Sequence, residues 1–487
     1  MTARVTAALR DSSSVRAVRE ALGDTTGIWI VGGAVRDAAL GYEVLDLDLA
    51  VAGGENEVAH RIARATAGHA FELSAEFGTW RAISSGGWRV DVTRLRGASI
   101  EVDLGLRDLA ANAIAVELGD LAGAPLDPHG GLADLDRRLL RAVGPRSFED
   151  DPLRILRAAR LAAGLGFELE PATVELARAA SPRAGEPAGE RQLAELRLVL
   201  AGPDPLRGLR LMDELGATAT VLPEIEALRG VEQNPNHHLD VHGHTMEVLE
   251  HLLAVETAVD RYAGDRAAEV TALLDESLAD ELTRRGALRF GALVHDVGKP
   301  ATRGQSGGYI TFIGHDRVGA EIVAGLCERL KTSRRLSDHL QGLTRHHLRL
   351  GFLAGEAMRA DGRLSPPQVH AYLRATGRVS ADVTLLTIAD RLAARGGGPI
   401  AAPQMVEAHL ALAREMLAAT LDWRRDGPPA VPIRGDELAA ELGLEPGPRL
   451  GELLLEIEAA VYAGEVGDRD GALALARRLG AGSRSTL

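Results

Sequence analysis

Two aspartates one residue apart, Asp46 and Asp48, follow a diglycine turn, Gly32-Gly33, and the pair Arg36-Asp37. Alternate residues of a strand project to one face, so Asp46 and Asp48 point the same way while Leu45, Leu47 and Leu49 pack behind. Two carboxylates a few Å apart repel unless a cation sits between them. A divalent metal such as Mg2+ meets that need, and two ions so held clamp the attacking and leaving oxygens of a phosphoryl transfer. The glycines let backbone N–H groups approach an anion, and the next helix turns its positive end towards it. Arg36 reaches a triphosphate tail from there. Taken singly, a Gly-Gly turn is ordinary loop chemistry, and Asp-x-Asp is a solvated edge or a helix cap. Nor is this the Gly-x-Gly-x-x-Gly dinucleotide fingerprint. The joint order of the parts is what singles them out.

A second constellation runs from His237-His238 and His242 to His244, then His295-Asp296, His315-Asp316, His346-His347 and Asp390. His and Asp from separate helices of a bundle can converge on one metal as neutral imidazoles and carboxylates. A lone histidine of this kind is more often a surface or capping residue; several within one helical stretch point to a metal.

At this point the chain resembles the bacterial tRNA nucleotidyltransferase and poly(A) polymerase family with an HD domain. The segments that carry the resemblance occur in order: Gly32-Gly33 with Arg36, Asp46-x-Asp48, the strand around Asp91, Arg107-Asp108 with Asn112, Asp127 to Gly131, and Asp150-Asp151 with Arg154 and Arg157. Glu190-Arg191 and Glu195-Leu196 complete the series. The resemblance implies a template-independent enzyme that extends the 3′ end of tRNA with CTP and ATP. It makes Asp46 and Asp48 the Mg2+ ligands, with Asp91 a third carboxylate. Gly32, Gly33, Arg36, Asp37, Arg107, Asp108 and Asn112 would bind the nucleotide, Arg36 and Arg107 neutralising its phosphates. Asp151 and Arg154, on one helical face, would read the Watson–Crick edge of the incoming base, a carboxylate accepting from an exocyclic amine and a guanidinium donating to the ring. Asp150-Asp151 also suits a helix cap with Pro152 in the first turn, and both roles can hold together. Arg157 and Arg160 extend the nucleotide-binding set. In the HD part the resemblance gives His244, His295, Asp296 and Asp390 as the primary metal set. His315 and His347 complete a second position, with His346 the weaker of the adjacent pair. The metal's identity is open, and so is any phosphohydrolase turnover there.

Two departures from the family matter. Asp150 stands where the family usually has Glu, a small change. Between Arg96 and Arg107 only ten residues remain, where full CCA-adding members carry a longer polar loop associated with the switch to ATP. Members that add only CC tend to lack that loop, so CC addition alone is the first alternative. A deletion in a surface loop is also thermodynamically cheap and can be neutral. A poly(A) polymerase, or an HD phosphohydrolase whose head only senses nucleotide, are the others.

The elements that position these residues divide the chain into an α/β head with a mixed, polymerase-beta-like sheet and an all-α remainder. Strand-like runs at 28–31, 47–51, 71–74, 80–84 and 89–95 alternate with helical patterns at 34–40 and 56–67. From about residue 139 helical period dominates, including 152–165, 191–200 and 206–215. Glycine- and proline-bearing stretches at 181–189, 230–235 and 396–403 are joints. The expected division is an N-terminal helical extension over 1–25, the head over 26–135, neck and body over 136–229, the HD part over 230–398 and a helical tail over 399–487. In the tail Leu450, Leu453, Leu454 and Ile457 fall at helical spacing, and its acidity sets a packing role against an RNA-gripping one.

Composition fits this picture. The chain has 487 residues, 46% of them apolar and 3% aromatic, with one cysteine, Cys327. An intrachain disulfide and a thiolate-rich zinc site are excluded. No long apolar run or signal segment is visible, which reads as a cytoplasmic protein without a membrane partner. A net charge of −14 argues against a general nucleic-acid coat. Residues 137–210 nevertheless carry 13 arginines against 10 acidic residues, a modest track suited to a shaped RNA or to ordinary solvated helices.

Overall fold

The computed structural model describes residues 1–23, 25–75, 78–359 and 362–482. The chain folds as two compact units, Met1–Val221 and Leu222–Leu487. In the first, helices Thr2–Asp11 and Ser13–Leu22 precede a six-stranded sheet. Its strands are β1 (Ile28–Val31), β2 (Leu47–Val51), β3 (His69–Ser74), β4 (Thr79–Ile83), β5 (Arg89–Arg94) and β6 (Ala115–Glu117), in the order β3-β4-β5-β2-β1-β6. β2 and β5 run parallel and the other neighbours antiparallel, so the sheet is mixed as expected. Ile30, Leu47, Leu49, Val90 and Val92 are buried in the sheet's core. That burial fixes the register, because a slip of one residue would turn each strand's apolar set outward. The register sets Val31 opposite Asp48 and Asp48 beside Asp91.

The strands lie within two residues of their expected positions. Sequence periodicity did not reveal β6, whose three residues, Ala115–Glu117, are too few to show a period. It also read residues 97–106 as a remnant loop, where the structure forms the helix Ile100–Gly105. Helix Arg154–Leu165 starts two residues later than expected, with Asp151 Oδ1 accepting the Leu153 N–H just ahead of it.

The second unit is helical apart from two short hairpins. Helices Val241–Thr257, Arg284–Val294, His315–Arg329, Arg334–His346 and Ser380–Ala393 carry or flank the histidine constellation. In the tail, Leu453 and Ile457 are buried in an apolar cluster with Leu450 and Leu454 packed against it. His370 Nε2 also lies 2.9 Å from Glu458 Oε1, binding the tail helix Pro448–Tyr462 to the helix Pro366–Thr376. Among the described residues, no helix is long and apolar enough to cross a membrane.

Candidate active site and metal centre

In the first unit, β1 ends at Val31 and the chain turns through Gly32 into the helix Gly33–Leu40. Gly32 adopts φ 68°, and a Cβ there would lie 3.2 Å from both Arg107 Nη1 and Asp48 Oδ2. Only glycine fits this turn without strain. The turn opens onto a cleft of about 530 Å³ lined by Gly32, Gly33, Arg36, Asp48, Arg107, Asp108, Asn112, Asp151, Arg154, Arg157 and Arg160. Residues drawn from a turn, a strand and two helical regions thus meet on one surface.

The cleft's charges are interlocked. Asp108 accepts from the N–H of Leu109 at 2.8 Å, Asn112 Nδ2 at 3.1 Å and Arg157 Nε at 2.9 Å. Burial opposes its ionisation, yet these partners hold its carboxyl far below the usual range. Asn112 Oδ1 in turn accepts from Arg36 at 2.9 Å. Glu195 accepts from Arg160 at 2.6 Å and Arg157 at 3.3 Å. Asp48 keeps accessible surface, but only towards the cleft. The protein packed around it and the charge of Asp91 raise its carboxyl, while Arg107, Arg157 and the Gly33 N–H pull the other way. A carboxylate so placed gains from a cation.

The structure departs from the expected grouping at three carboxylates. Asp46 accepts from the Arg89 backbone N–H at 2.9 Å and from its guanidinium, which satisfies both oxygens and leaves it off the cleft wall. Asp91 is beside Asp48 in register, but its two oxygens take a bidentate Arg81 at 2.7 Å. Asp37 accepts from its neighbour Arg36 at 2.9 Å. Asp151 lines the cleft and holds Arg191 at 2.8 Å, while Arg154 donates to the carbonyls of Leu106, Arg107 and Ser147. Sequence reasoning gave no role to Arg96 or Asp103. Asp103 is buried in the helix Ile100–Gly105 and accepts from Arg96 and Arg107. Asp103 and its neighbour Glu101 look alike in the sequence, and only the fold buries one of them between Arg96 and Arg107.

In the second unit, two groups of side chains come within metal-binding reach: His244, His295 and Asp390, and Asp296, His315 and His347. The tautomers are set by backbone. Nδ1 of His295, His315 and His347 lies 2.8, 2.6 and 2.7 Å from the carbonyls of Ala292, Phe312 and Thr344. A carbonyl only accepts, so each Nδ1 carries the proton and each Nε2 turns a lone pair inward. His315 Nε2 and His347 Nε2 then face each other at 3.2 Å. His295 Nε2 stands 3.2 Å from Asp296 Oδ2 without hydrogen-bonding geometry, and with Asp296 Oδ1 and His244 Nδ1 it is buried without a hydrogen-bond partner. Converging lone pairs and carboxylate oxygens are the donor set of a divalent transition metal. Burial, then the nearby His295, pushes His347 down to about 4, so it is a neutral imidazole. His346 instead accepts from Arg349 Nε at 2.9 Å. Lys299 Nζ is 2.6 Å from Asp296 Oδ2. With His237, Arg391 and His409 it also lines the adjoining cavity of about 270 Å³. None of these four had been assigned a role.

Comparison with known proteins agrees with both regions. The poly A polymerase head domain matches residues 28–141, the probable RNA and SrmB-binding site of polymerase A matches 166–228, and the HD domain matches 248–395. The A-adding tRNA nucleotidyltransferase of Deinococcus radiodurans is 36% identical over 93% of this chain and 95% of its own. The CC-adding tRNA nucleotidyltransferase of Thermus thermophilus is 34% identical over 91% and 92%. A solved CCA-adding enzyme in complex with CTP shares the fold, with a TM-score of 0.62 at 21% identity over 100% of this chain and 99% of that one.

Proposed function

From a chain that belongs to the tRNA nucleotidyltransferase and poly(A) polymerase family, and so is a nucleotidyltransferase, we infer an enzyme that adds C and A from CTP and ATP to the 3′ end of tRNA. The observation that carries this reading is the single cleft in which Gly32, Asp48, Arg107, Asp108, Asn112, Asp151 and Arg154 converge. Asp48, joined by Asp46 once released from Arg89, holds Mg2+. That ion supplies activation of the primer hydroxyl and charge neutralisation of the departing pyrophosphate. Gly32 and Gly33 admit the triphosphate close to backbone, Arg36 and Arg107 hold its phosphates, and Asp108 with Asn112 orients the sugar. Asp151 and Arg154 meet the base, with Arg191 and the carbonyls of Leu106 and Arg107 keeping both side chains in place before it arrives. The His/Asp cluster would hold a divalent metal through His244, His295, Asp296, His315, His347 and Asp390, and that metal would supply water activation for phosphoester hydrolysis. The finer five-segment division and a cytoplasmic location belong to the same proposal.

A second reading is favoured by residues 97–106. Instead of a long polar loop, this segment is a short helix pinned by the buried Asp103 to Arg96 and Arg107. The two relatives named above each carry a partial-addition name. The chain then performs one part of the addition only. The test supplies purified protein with tRNA lacking its terminus and with tRNA ending in CC, with CTP and ATP given separately and together. Full addition to the first substrate supports the first reading, and extension of one substrate by one nucleotide type supports the second. Extension of neither refutes both.

A further inference from the structure

Away from the metal-ligand candidates, the second unit holds another pocket. It is a cavity of about 460 Å³ whose wall includes Arg284, Arg334, Arg335, His339 and Arg378. It lies at the N-terminal ends of three helices. Arg284 opens Arg284–Val294, Arg334 and Arg335 open Arg334–His346, and Arg378 immediately precedes Ser380–Ala393. The ends that face the pocket are therefore the positive ends of three helix dipoles. The same three helices reach His295, His347 and Asp390 about 15–20 Å further on, at a rise of 1.5 Å per residue. Each helix thus carries groups suited to a cation late in its length and arginines at its start.

Helix ends alone would not make a site, but two buried side chains on the wall are incompletely paired. Arg284 is 5% exposed; one Nη donates to Asp382 and to the Arg378 carbonyl at 3.0 Å, while its Nε has no partner. His339 is also 5% exposed, and its Nε2 has no partner. Asp382 Oδ1, 3.8 Å from that nitrogen, is likewise unpaired. A purely structural Arg284–Asp382 lock would close around its polar atoms. Here Arg284 and His339 line a cavity much larger than one water. Four arginines stand against Asp338 on the wall and Asp382 behind it, a local positive excess in a chain of net charge −14. Capping by Thr283 and Ser333 uses the N–H groups of Gly286 and Leu336, so the ligand is held by side chains within the helix field.

We propose that this pocket binds a small phosphate monoester of nucleotide size, or inorganic phosphate. Arg284 Nε and His339 donate from the buried wall, and Arg335 and Arg378 close on the anion at the exposed mouth. Guanidinium forks match phosphate oxygens, and the volume lies in the range of small-molecule sites. Asp382, behind the wall, holds Arg284 in place. The site lies wholly within the second unit and is independent of the cleft around Asp48.

The test uses the full chain and the double variant Arg335→Ser/Arg378→Ser, both exposed positions whose loss leaves the fold intact. Crystals soaked in sodium selenate, a phosphate mimic, should show anomalous density beside Arg284 Nε and His339 Nε2 in the wild type only. Titration calorimetry with inorganic phosphate and with AMP should show a binding component weakened at least about tenfold in the double variant, roughly one lost charge-assisted contact. tRNA extension should be unchanged, so failure here is separable from failure of the proposed function. No density at that position, phosphate and AMP affinities equal in wild type and double variant, or a loss confined to tRNA binding would each overturn the proposal.

Discussion

In the cleft of the first unit seven arginines face four carboxylates, whereas the cluster of the second unit joins four imidazoles to Asp296 and Asp390. The cleft has settled its acids internally: Asp108 on Arg157, Glu195 on Arg160, Asp151 on Arg191. Its surplus is positive and suits a polyanion. In the cluster, the protein's own carbonyls fix the protons of His295, His315 and His347 on the outside, so their lone pairs converge and the unmet need is for a cation. A triphosphate brings charge that must leave again as pyrophosphate, and an open, arginine-rich cleft tolerates that traffic. A metal that stays can be enclosed.

The largest expected difference between the two regions comes from Asp48→Asn. The change removes the one cleft carboxylate without a fixed guanidinium partner, and nucleotide addition should fall by about 10²–10³-fold or more. Metal bound per chain at the His/Asp cluster should not change. Extension assays and elemental analysis on one preparation read both, and addition surviving at near wild-type rate would remove Asp48 from the chemistry. The reciprocal change is His347→Ala. Affinity of the Asp296–His315 position for its metal should drop by at least about 10–100-fold, with addition within about twofold of wild type. Metal content equal to wild type would mean the facing imidazoles are packing, not ligation.

A milder break of the cleft is Gly32→Ala. It forces φ 68° on a residue with a Cβ and crowds Arg107 Nη1 and Asp48 Oδ2 at 3.2 Å. Strain of about 1–3 kcal/mol should appear as a loss of roughly tenfold or more in kcat/KM. A wild-type value would show that the turn is not where the triphosphate rides.

Why so much of both regions was legible lies in the kind of signal each residue carries. The sheet followed from period-two apolar runs, and the cleft residues from motifs whose order is rare by chance. Motif order also carried the histidines, whose helices are far apart in the chain. What escaped were features set by tertiary partners. Asp46 stands in a bend one residue ahead of β2, where Arg89 lies within reach and takes it, a contact that no spacing within 46–48 encodes. Asp103 and the helix Ile100–Gly105 look like leftover loop until Arg96 and Arg107 are seen to need a shared carboxylate. His237, Lys299, Arg391 and His409 join one cavity only through the bundle's packing.

The smallest effect separates the regions by pH. Asp108 is buried, and Arg157 with its other donors holds its carboxyl far below the unfolded value of about 3.9. A carboxyl depressed on folding contributes stability that is complete above the unfolded pKa and is lost as pH falls through the folded one. Asp108→Asn should therefore cost about 1–3 kcal/mol near neutrality. Arg157 keeps Glu195 at 3.3 Å, which limits the damage. That cost should stay constant from about pH 8 to pH 5 and shrink only below about pH 4, where the wild-type carboxyl begins to lose its advantage over the unfolded chain. Urea midpoints of wild type and variant across that range measure it. A gap that instead closed as pH rose from 5 to 8 would assign the stability to a group with a raised pKa, and the view of the cleft as internally neutralised by arginine would fail.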